Sequence, residues 1–402
     1  MVASVATVDS ITNPDKMFED AGIKVVLGKV VQADPVKKTL KLEDGTTIAF
    51  DKLMLGMGAR QMIPPLEGVN LKGVFTLRSA ADAVRIREYF TAEEPRKLVF
   101  IGAGYTNLET ASLLMTGKPD YYNISIIELM EYPLSLMLDK DLAVGLQEYL
   151  AGKGLQMKMG EKAARILGEN GKVSGVELAS GEQIPADFVL IAVGATPNLE
   201  LAQQLGLALG KFGVQVNEFL ETSHPDVLAG GDCVEKTHFN TKKPVAGMLR
   251  GPAVIQGRLM AKRLAGYAIP FPGVLNNSAV RIFDKYYASV GLTEDAARQE
   301  GFEALAVSVP SRSKHGMIPG VKPWNLRLVF DRKTQKLLGG QIVADSEAPV
   351  KEIDTINALI LGGKTISDLT VLMCAGTPDC SSEPSLEPIT ICAEQALQKL
   401  SA

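Results

Sequence analysis

The run Gly102-Ala103-Gly104-Tyr105-Thr106-Asn107-Leu108-Glu109 and the acid Glu128 have types and spacing that suit a definite chemistry. Glycines at alternate positions let a chain turn sharply and bring its backbone close to a bulky anion. If a helix starts at such a turn, its free amides and partial positive charge face the same point, and a diphosphate is the natural occupant. A carboxylate about 20 residues further on accepts hydrogen bonds from both hydroxyls of an adenosine ribose and repels a 2′-phosphate, which favours NAD over NADP. Asn107 stands where a third glycine would allow close helix-to-strand packing, so either the helix stands off or the amide finds a local partner. A glycine pattern alone is equally compatible with a structural turn in an ordinary α/β unit.

The surrounding elements favour the nucleotide. Residues 97–101, KLVFI, read as a short apolar strand; apolar residues then recur at helical spacing through Leu114, with Gly117 as a stop. Residues 124–127 form a second apolar strand that delivers Glu128. Strand, glycine turn, helix, strand and acid in register make a βαβ unit of about 30 residues.

A second copy of part of this arrangement lies upstream. Residues from Gly22, GIKVVLGKVVQADPVKKTLKLEDGTTIAFDKLMLGMGAR, and from Gly154, GLQMKMGEKAARILGENGKVSGVELASGEQIPADFVLIAVGATP, share strand runs, a glycine turn, an Asp and an apolar strand closing on Gly-Ala. Gly154 follows Gly22 by 132 positions, and Gly194 follows Gly58 by 136. Two related half-structures are expected, against the alternative that two β-meanders share turn chemistry by chance. Subtracting that spacing from Gly102 gives −30 to −34, so the matching glycine loop of the first copy is expected before Met1.

Composition bounds the rest. The chain has 402 residues, 46% of them hydrophobic and 22% charged, with a net charge of −4. That is material for two or three packed domains and not for a broadly basic nucleic-acid surface. No apolar run reaches the 18 residues that a bilayer span requires, and the first 20 residues lack the basic-then-apolar order of a secretory signal. Cys233, Cys374, Cys380 and Cys392 include no CxxC pair, so neither a disulfide framework nor a metal site is expected, and a reducing cytoplasm is the natural setting.

Taken together, FDKLMLGMGA, FTLRSAADA, VFIGAGYTNLE, DFVLIAVGATPN, ETSHPDVLAGGDC, LRGPAVIQGR and VGLTEDAARQEG run along nearly the whole chain in an order that resembles the flavoprotein pyridine nucleotide-disulfide oxidoreductases. Within them the chain is similar to the branch of coenzyme A-disulfide reductase, NADH peroxidase and NADH oxidase. The resemblance implies an α/β fold with two Rossmann-like nucleotide-binding domains, the first incomplete at its N-terminus, and an α+β C-terminal dimerisation domain. It places an FAD half at residues 1–93 and 215–272, an NAD half at 94–214 and the dimerisation domain at 273–402.

By the same resemblance, Gly58, Thr222, Gly231, Asp232 and Ala253 attend FAD. Asp232 suits the ribitol chain because a carboxylate accepts from neighbouring hydroxyls, and a helix N-terminus near Ala253 suits an anionic reduced flavin. Gly102, Gly104, Asn107, Glu109, Glu128 and Gly194 attend NAD. Tyr105 matches a residue that lies over the flavin and yields to the nicotinamide, although an aromatic there also suits simple packing.

The implied function is NADH oxidation through FAD to a small acceptor, either a coenzyme A disulfide or persulfide, oxygen, a peroxide or a quinone, in a homodimer. The resemblance also implies a first glycine loop and a redox cysteine before Met1. That leaves a fragment, a late start or a degenerate member, and an alternative non-catalytic NAD-binding subunit. Cys233 and Cys392 suit small buried hydrophobes, and Cys374 and Cys380, six residues apart in a Gly-Pro loop, are close enough in sequence to meet, with a redox role as the alternative to a plain loop. His224, His238 and His315 lack the paired Glu context of dithiol exchange.

Overall fold

The computed structural model describes residues 7–401; the outermost limits of the domain ranges above, residues 1–6 and 402, lie outside the described residues. Its central layer is a parallel sheet of five strands in the order Val74–Thr76, Phe188–Ile191, Lys97–Ile101, Asn123–Glu128 and Gln156–Met159. The inner strands are apolar on both faces, as a parallel sheet covered on both sides requires. On one face the helices Ala80–Glu93, Tyr105–Gly117 and Lys140–Gly152 bury Ile86, Leu108, Ala111 and Leu146 against Leu98, Phe100, Ile124 and Ile126. On the other, the meander Ala163–Glu169, Lys172–Leu178 and Gln183–Pro185 covers Val99, Ile101 and Val189.

The duplication is visible as a second meander, Val30–Asp34, Thr39–Leu42 and Thr47–Ala49, followed by the strand Leu53–Leu55, which pairs in parallel with Val227–Ala229. The ends of the two copies also pair with each other. Ala59–Gln61 runs antiparallel to Ala195–Pro197, Met62 N–H donates to Gly194 O at 3.0 Å, and Asn198 N–H donates to Gly58 O at 3.0 Å. A local two-fold centred between Arg60 and Thr196 therefore relates the halves, with the corresponding glycines at the two ends of the pairing.

Two sequence expectations are corrected. The apolar run after Gly22 forms no strand: residues 23–29 sit outside every ladder, with Ile23, Val25 and Val26 exposed and Leu27 90% exposed. Its counterpart Gln156–Met159 is held by the neighbouring strand Asn123–Glu128, and among the described residues no such neighbour lies beside 23–29. The division expected at residue 93 also shifts. Val74–Thr76 joins the central sheet, Ile86 and Tyr89 of the helix Ala80–Glu93 lie in its core, and Leu66, Val69 and Leu71 pack on its meander side. Residues 66–93 thus pack with the half that carries the glycine loop.

The C-terminal region is a five-stranded antiparallel sheet, ordered Ser278–Ile282, Lys285–Gly291, Leu337–Ala344, Pro323–Asp331 and Ala304–Arg312, with the helices Glu352–Leu361 and Pro388–Ser401 packed on one face. The strands Pro323–Asp331 and Leu337–Ala344 pair on either side of the Asp331-Arg332-Lys333 turn. Val280, Ile282 and Tyr287 reach into the core of the parallel sheet. Among the described residues no helix is long and apolar enough to cross a membrane.

Candidate nucleotide sites

The glycine loop connects Lys97–Ile101 to the helix Tyr105–Gly117, whose cap is Gly104. Gly102 has φ +102°, and a Cβ there would lie 2.5 Å from Ala192 O, so no side chain fits without moving the adjacent strand end. Asn107 is fully buried and its carboxamide donates to Ile101 O at 2.9 Å and Gly102 O at 2.8 Å. Of the two possibilities raised by the missing third glycine, the local partner is the one found: the amide ties the first helical turn to the strand end. The space in front of Gly104 is open.

Glu128 ends the neighbouring strand and folds back onto this loop. Its Oε2 accepts from Ala103 N–H at 2.6 Å and its Oε1 from Met130 N–H at 2.8 Å. Each oxygen keeps a lone pair for a further donor, so the carboxylate is fixed in place with acceptor capacity to spare. Tyr105 is partly exposed at the start of the helix. Glu109, one turn on, opens to solvent at its end, yet the surrounding protein desolvates it enough to raise its carboxyl above the ordinary range. Positive helix end, turn and fixed acid form a cradle fitted to a dinucleotide.

The second site lies where Val227–Ala229 ends in the short helical turn Gly231–Cys233. Asp232 Oδ2 pairs with the Arg78 guanidinium, while Oδ1 is buried without a hydrogen-bond partner. A buried carboxylate oxygen with no donor is costly, and a polyol hydroxyl delivered by a ligand answers that deficit. Gln256, itself buried on the helix Arg250–Leu264, accepts from Gly231 N–H at 2.9 Å. Ala253, on the first turns of the same helix, has its Cβ 3.8 Å from where a Gly231 Cβ would stand. The donor set thus fits FAD at this end of the strand.

Asp232, Gly231 and Ala253 therefore converge, as do Gly102, Gly104, Asn107 and Glu128. Gly58 and Gly194 lie at opposite ends of the pairing between the two copies, facing Asn198 and Met62. Thr222 does not join Asp232: its hydroxyl donates to Val227 O at 2.8 Å, at the opposite end of the strand, and shapes the turn there. Cys233 and Cys392 are fully buried, and burial pushes Cys392 up to about 12 and raises Cys233. Cys374 and Cys380 are exposed and free.

Arg78, Gln256 and Lys236 were not singled out by the sequence reading. Arg78 lay within reach of it: Ser79 and Asp82 form a capping box, with Ser79 N–H donating to Asp82 Oδ2 at 2.8 Å, so S-x-x-D marked a helix start directly after Arg78. Nothing in the sequence linked Arg78 to a residue 154 positions away.

The chain matches the pyridine nucleotide-disulphide oxidoreductase family over residues 2–257 and the dimerisation domain of that family over 278–386. It is 32% identical over 352 residues to an NADH oxidase of Methanocaldococcus jannaschii, covering 88% of this chain and 77% of that protein. It is 35% identical over 346 residues to an NAD(P)H sulfur oxidoreductase (CoA-dependent) of Pyrococcus furiosus, covering 86% and 76%. The solved structure of an NAD-dependent persulfide reductase from A. fulgidus superposes with a TM-score of 0.92 at 30% identity, covering all of this chain and 75% of that one.

Proposed function

This chain belongs to the pyridine nucleotide-disulphide oxidoreductases, and on that premise we propose that its glycine loop and Glu128 hold NADH while Asp232 and Arg78 hold FAD. The reaction is the oxidation of NADH with transfer of two electrons to a small acceptor. The chemistry that bound FAD supplies is acceptance of a hydride from the nicotinamide and its onward delivery. The protein holds, orients and shields. Gly102 and Gly104 admit the diphosphate to the first amides of the helix Tyr105–Gly117. Glu128 accepts from the ribose hydroxyls and disfavours a 2′-phosphate. Tyr105 guards the mouth of the loop, and Glu109 orients cofactor groups one turn further on.

On the flavin side, Asp232 Oδ1 accepts a ribitol hydroxyl, Arg78 fixes the carboxylate, and the N-terminal turns of Arg250–Leu264 at Ala253 favour negative charge on the reduced ring. The observation that carries this reading is the buried, unpartnered Asp232 Oδ1 beside an otherwise complete set of contacts. The acceptor is proposed from the named relatives: a coenzyme A persulfide or dioxygen. A cytoplasmic homodimer completes the reading, supported by the matched dimerisation domain and by two exposed free cysteines.

The test is spectroscopic. The purified chain is mixed with FAD, freed of excess, and titrated anaerobically with NADH. A flavin band that binds and bleaches supports the proposal; coenzyme A persulfide and dioxygen are then compared as reoxidants. A folded chain that takes up no flavin sinks it.

A further inference from the structure

Lys236 follows Asp232 by four positions and is 2% exposed, deeper than any other lysine among the described residues. Its ammonium donates to Gly231 O at 2.7 Å, Ala246 O at 3.1 Å and Val234 O at 3.2 Å. Three carbonyls use its three donors in full. These carbonyls belong to two segments: the turn that carries Asp232, and the loop that leads into the helix Arg250–Leu264. Gly247 in that loop has φ +52°, and a Cβ there would stand 3.0 Å from Lys236 Cδ, so the loop closes tightly over the lysine stem.

We propose that Lys236 is a positioning residue for the flavin: it clamps the Asp232 turn to the start of the helix Arg250–Leu264 and sets the affinity for FAD. This rests on the assignment of FAD to Asp232 made above. A buried cation is tolerated only where dipoles and charge compensate it, and here the compensation comes from the backbone that shapes the site and from the Asp232 carboxylate. Adding a ligand against Asp232 is therefore coupled to the state of Lys236.

Burial lowers the Lys236 ammonium to about 8, with the Asp232 carboxylate acting in the opposite direction. Arg78 is engaged with Asp232, and Glu235 turns away to accept from Phe212 N–H at 3.0 Å. Because the lowered value puts proton loss near pH 8, the full three-donor clamp exists below that pH and is lost above it. If FAD binds the clamped form, its affinity falls by up to about tenfold per pH unit above 8.

The measurement is the dissociation constant of FAD between pH 6.5 and 9.5 for wild type, Lys236→Met and Asp232→Asn, with circular dichroism and NADH binding as controls for folding. The expected result is a Kd at least about tenfold weaker in Lys236→Met at pH 7, with the alkaline fall abolished and NADH binding kept. Asp232→Asn that weakens FAD while Lys236→Met binds within twofold of wild type, with the same pH profile, overturns the role of Lys236 and leaves the flavin assignment intact. No flavin on wild type, or full affinity in Asp232→Asn, overturns both. Should Lys236→Met not fold, the wild-type profile decides: a fall above pH 8 supports the clamp, and a flat profile overturns it.

Discussion

Glu128 shows how one carboxylate is asked to satisfy two masters, the loop and the proposed ribose. Glu128→Gln keeps the shape, but a carboxamide offers one acceptor where the wild type uses two, so its NH2 meets either the Ala103 or the Met130 N–H. Loss of charge-assisted hydrogen bonds costs about 1.5–3 kcal/mol. We expect NADH to bind about ten- to a hundredfold more weakly by fluorescence titration, with its advantage over NADPH reduced. Unchanged discrimination would remove Glu128 from the site. Asn107 gives a cleaner stability test. Asn107→Leu leaves Gly102 O without its partner, whereas Ile101 O keeps Ala192 N–H at 3.0 Å. One stranded carbonyl predicts a loss of about 1–3 kcal/mol in urea unfolding.

These residues also mark what a sequence can and cannot disclose. Glycine, acid and helix start are legible because turn geometry and charge act over a few positions. The choice between a displaced helix and a local partner for Asn107 was not, since a carboxamide's donors are assigned only once the strand end stands before it. Arg78 and Lys236 were hidden for the same reason: their partners come from chain far away or from backbone carbonyls, which any residue possesses.

Among the elements, the helix Lys140–Gly152 is tied to the antiparallel sheet at its N-terminus. Asp139 is buried; its Oδ2 accepts from Gln341 Nε2 at 2.6 Å, its Oδ1 accepts from Glu294 N–H at 2.9 Å, and its own N–H donates to Gln341 Oε1 at 2.7 Å. Arg327 bridges Asp139, at 3.3 Å, and Asp141. Asp139→Ala strands a buried amide and a helix N-terminus and removes one of the two carboxylates that compensate a largely buried guanidinium, and a loss of about 3 kcal/mol is expected in urea denaturation.

Asp141 sits below the ordinary carboxylate range, first because Arg327 hydrogen bonds to it. A depressed value means the folded state gains stability above the unfolded pKa of about 4 and loses it as pH falls through the native value. Stability of the wild type should therefore decline below pH 4 more steeply than that of Arg327→Met, and parallel acid-unfolding curves would refute the coupling.

Elements with strong local patterns were readable: the βαβ unit, both meanders and the hairpin at Asp331. The run after Gly22 was not, because an apolar strand sequence forms a strand only where a neighbour accepts its backbone. Nor was the place of Val74–Thr76, three residues whose membership of the central sheet is decided by pairing with Val189–Ile191, more than a hundred positions away.

At the scale of the whole molecule, the proposed homodimer has a candidate surface. Val371, Met373 and Leu386 are exposed around the Cys374–Cys380 loop, and all three lie within the matched dimerisation region. Lone exposed apolar residues need no explanation, but three around one loop within an association domain do. Met373→Asp combined with Val371→Glu should shift the sedimentation equilibrium from dimer toward monomer; an unaltered mass would place the contact elsewhere.

The packing of Val280, Ile282 and Tyr287 into the same core that holds Phe100 and Ile126 carries a consequence for how the molecule melts. Two regions that share one apolar interior cannot lose it separately, so the parallel sheet and the antiparallel sheet should give a single calorimetric endotherm, with slowest amide exchange in the strands Lys97–Ile101 and Lys285–Gly291. The part around Leu53–Leu55 and Val227–Ala229 has its own smaller core and is free to melt first. Added FAD should then raise the lower endotherm alone.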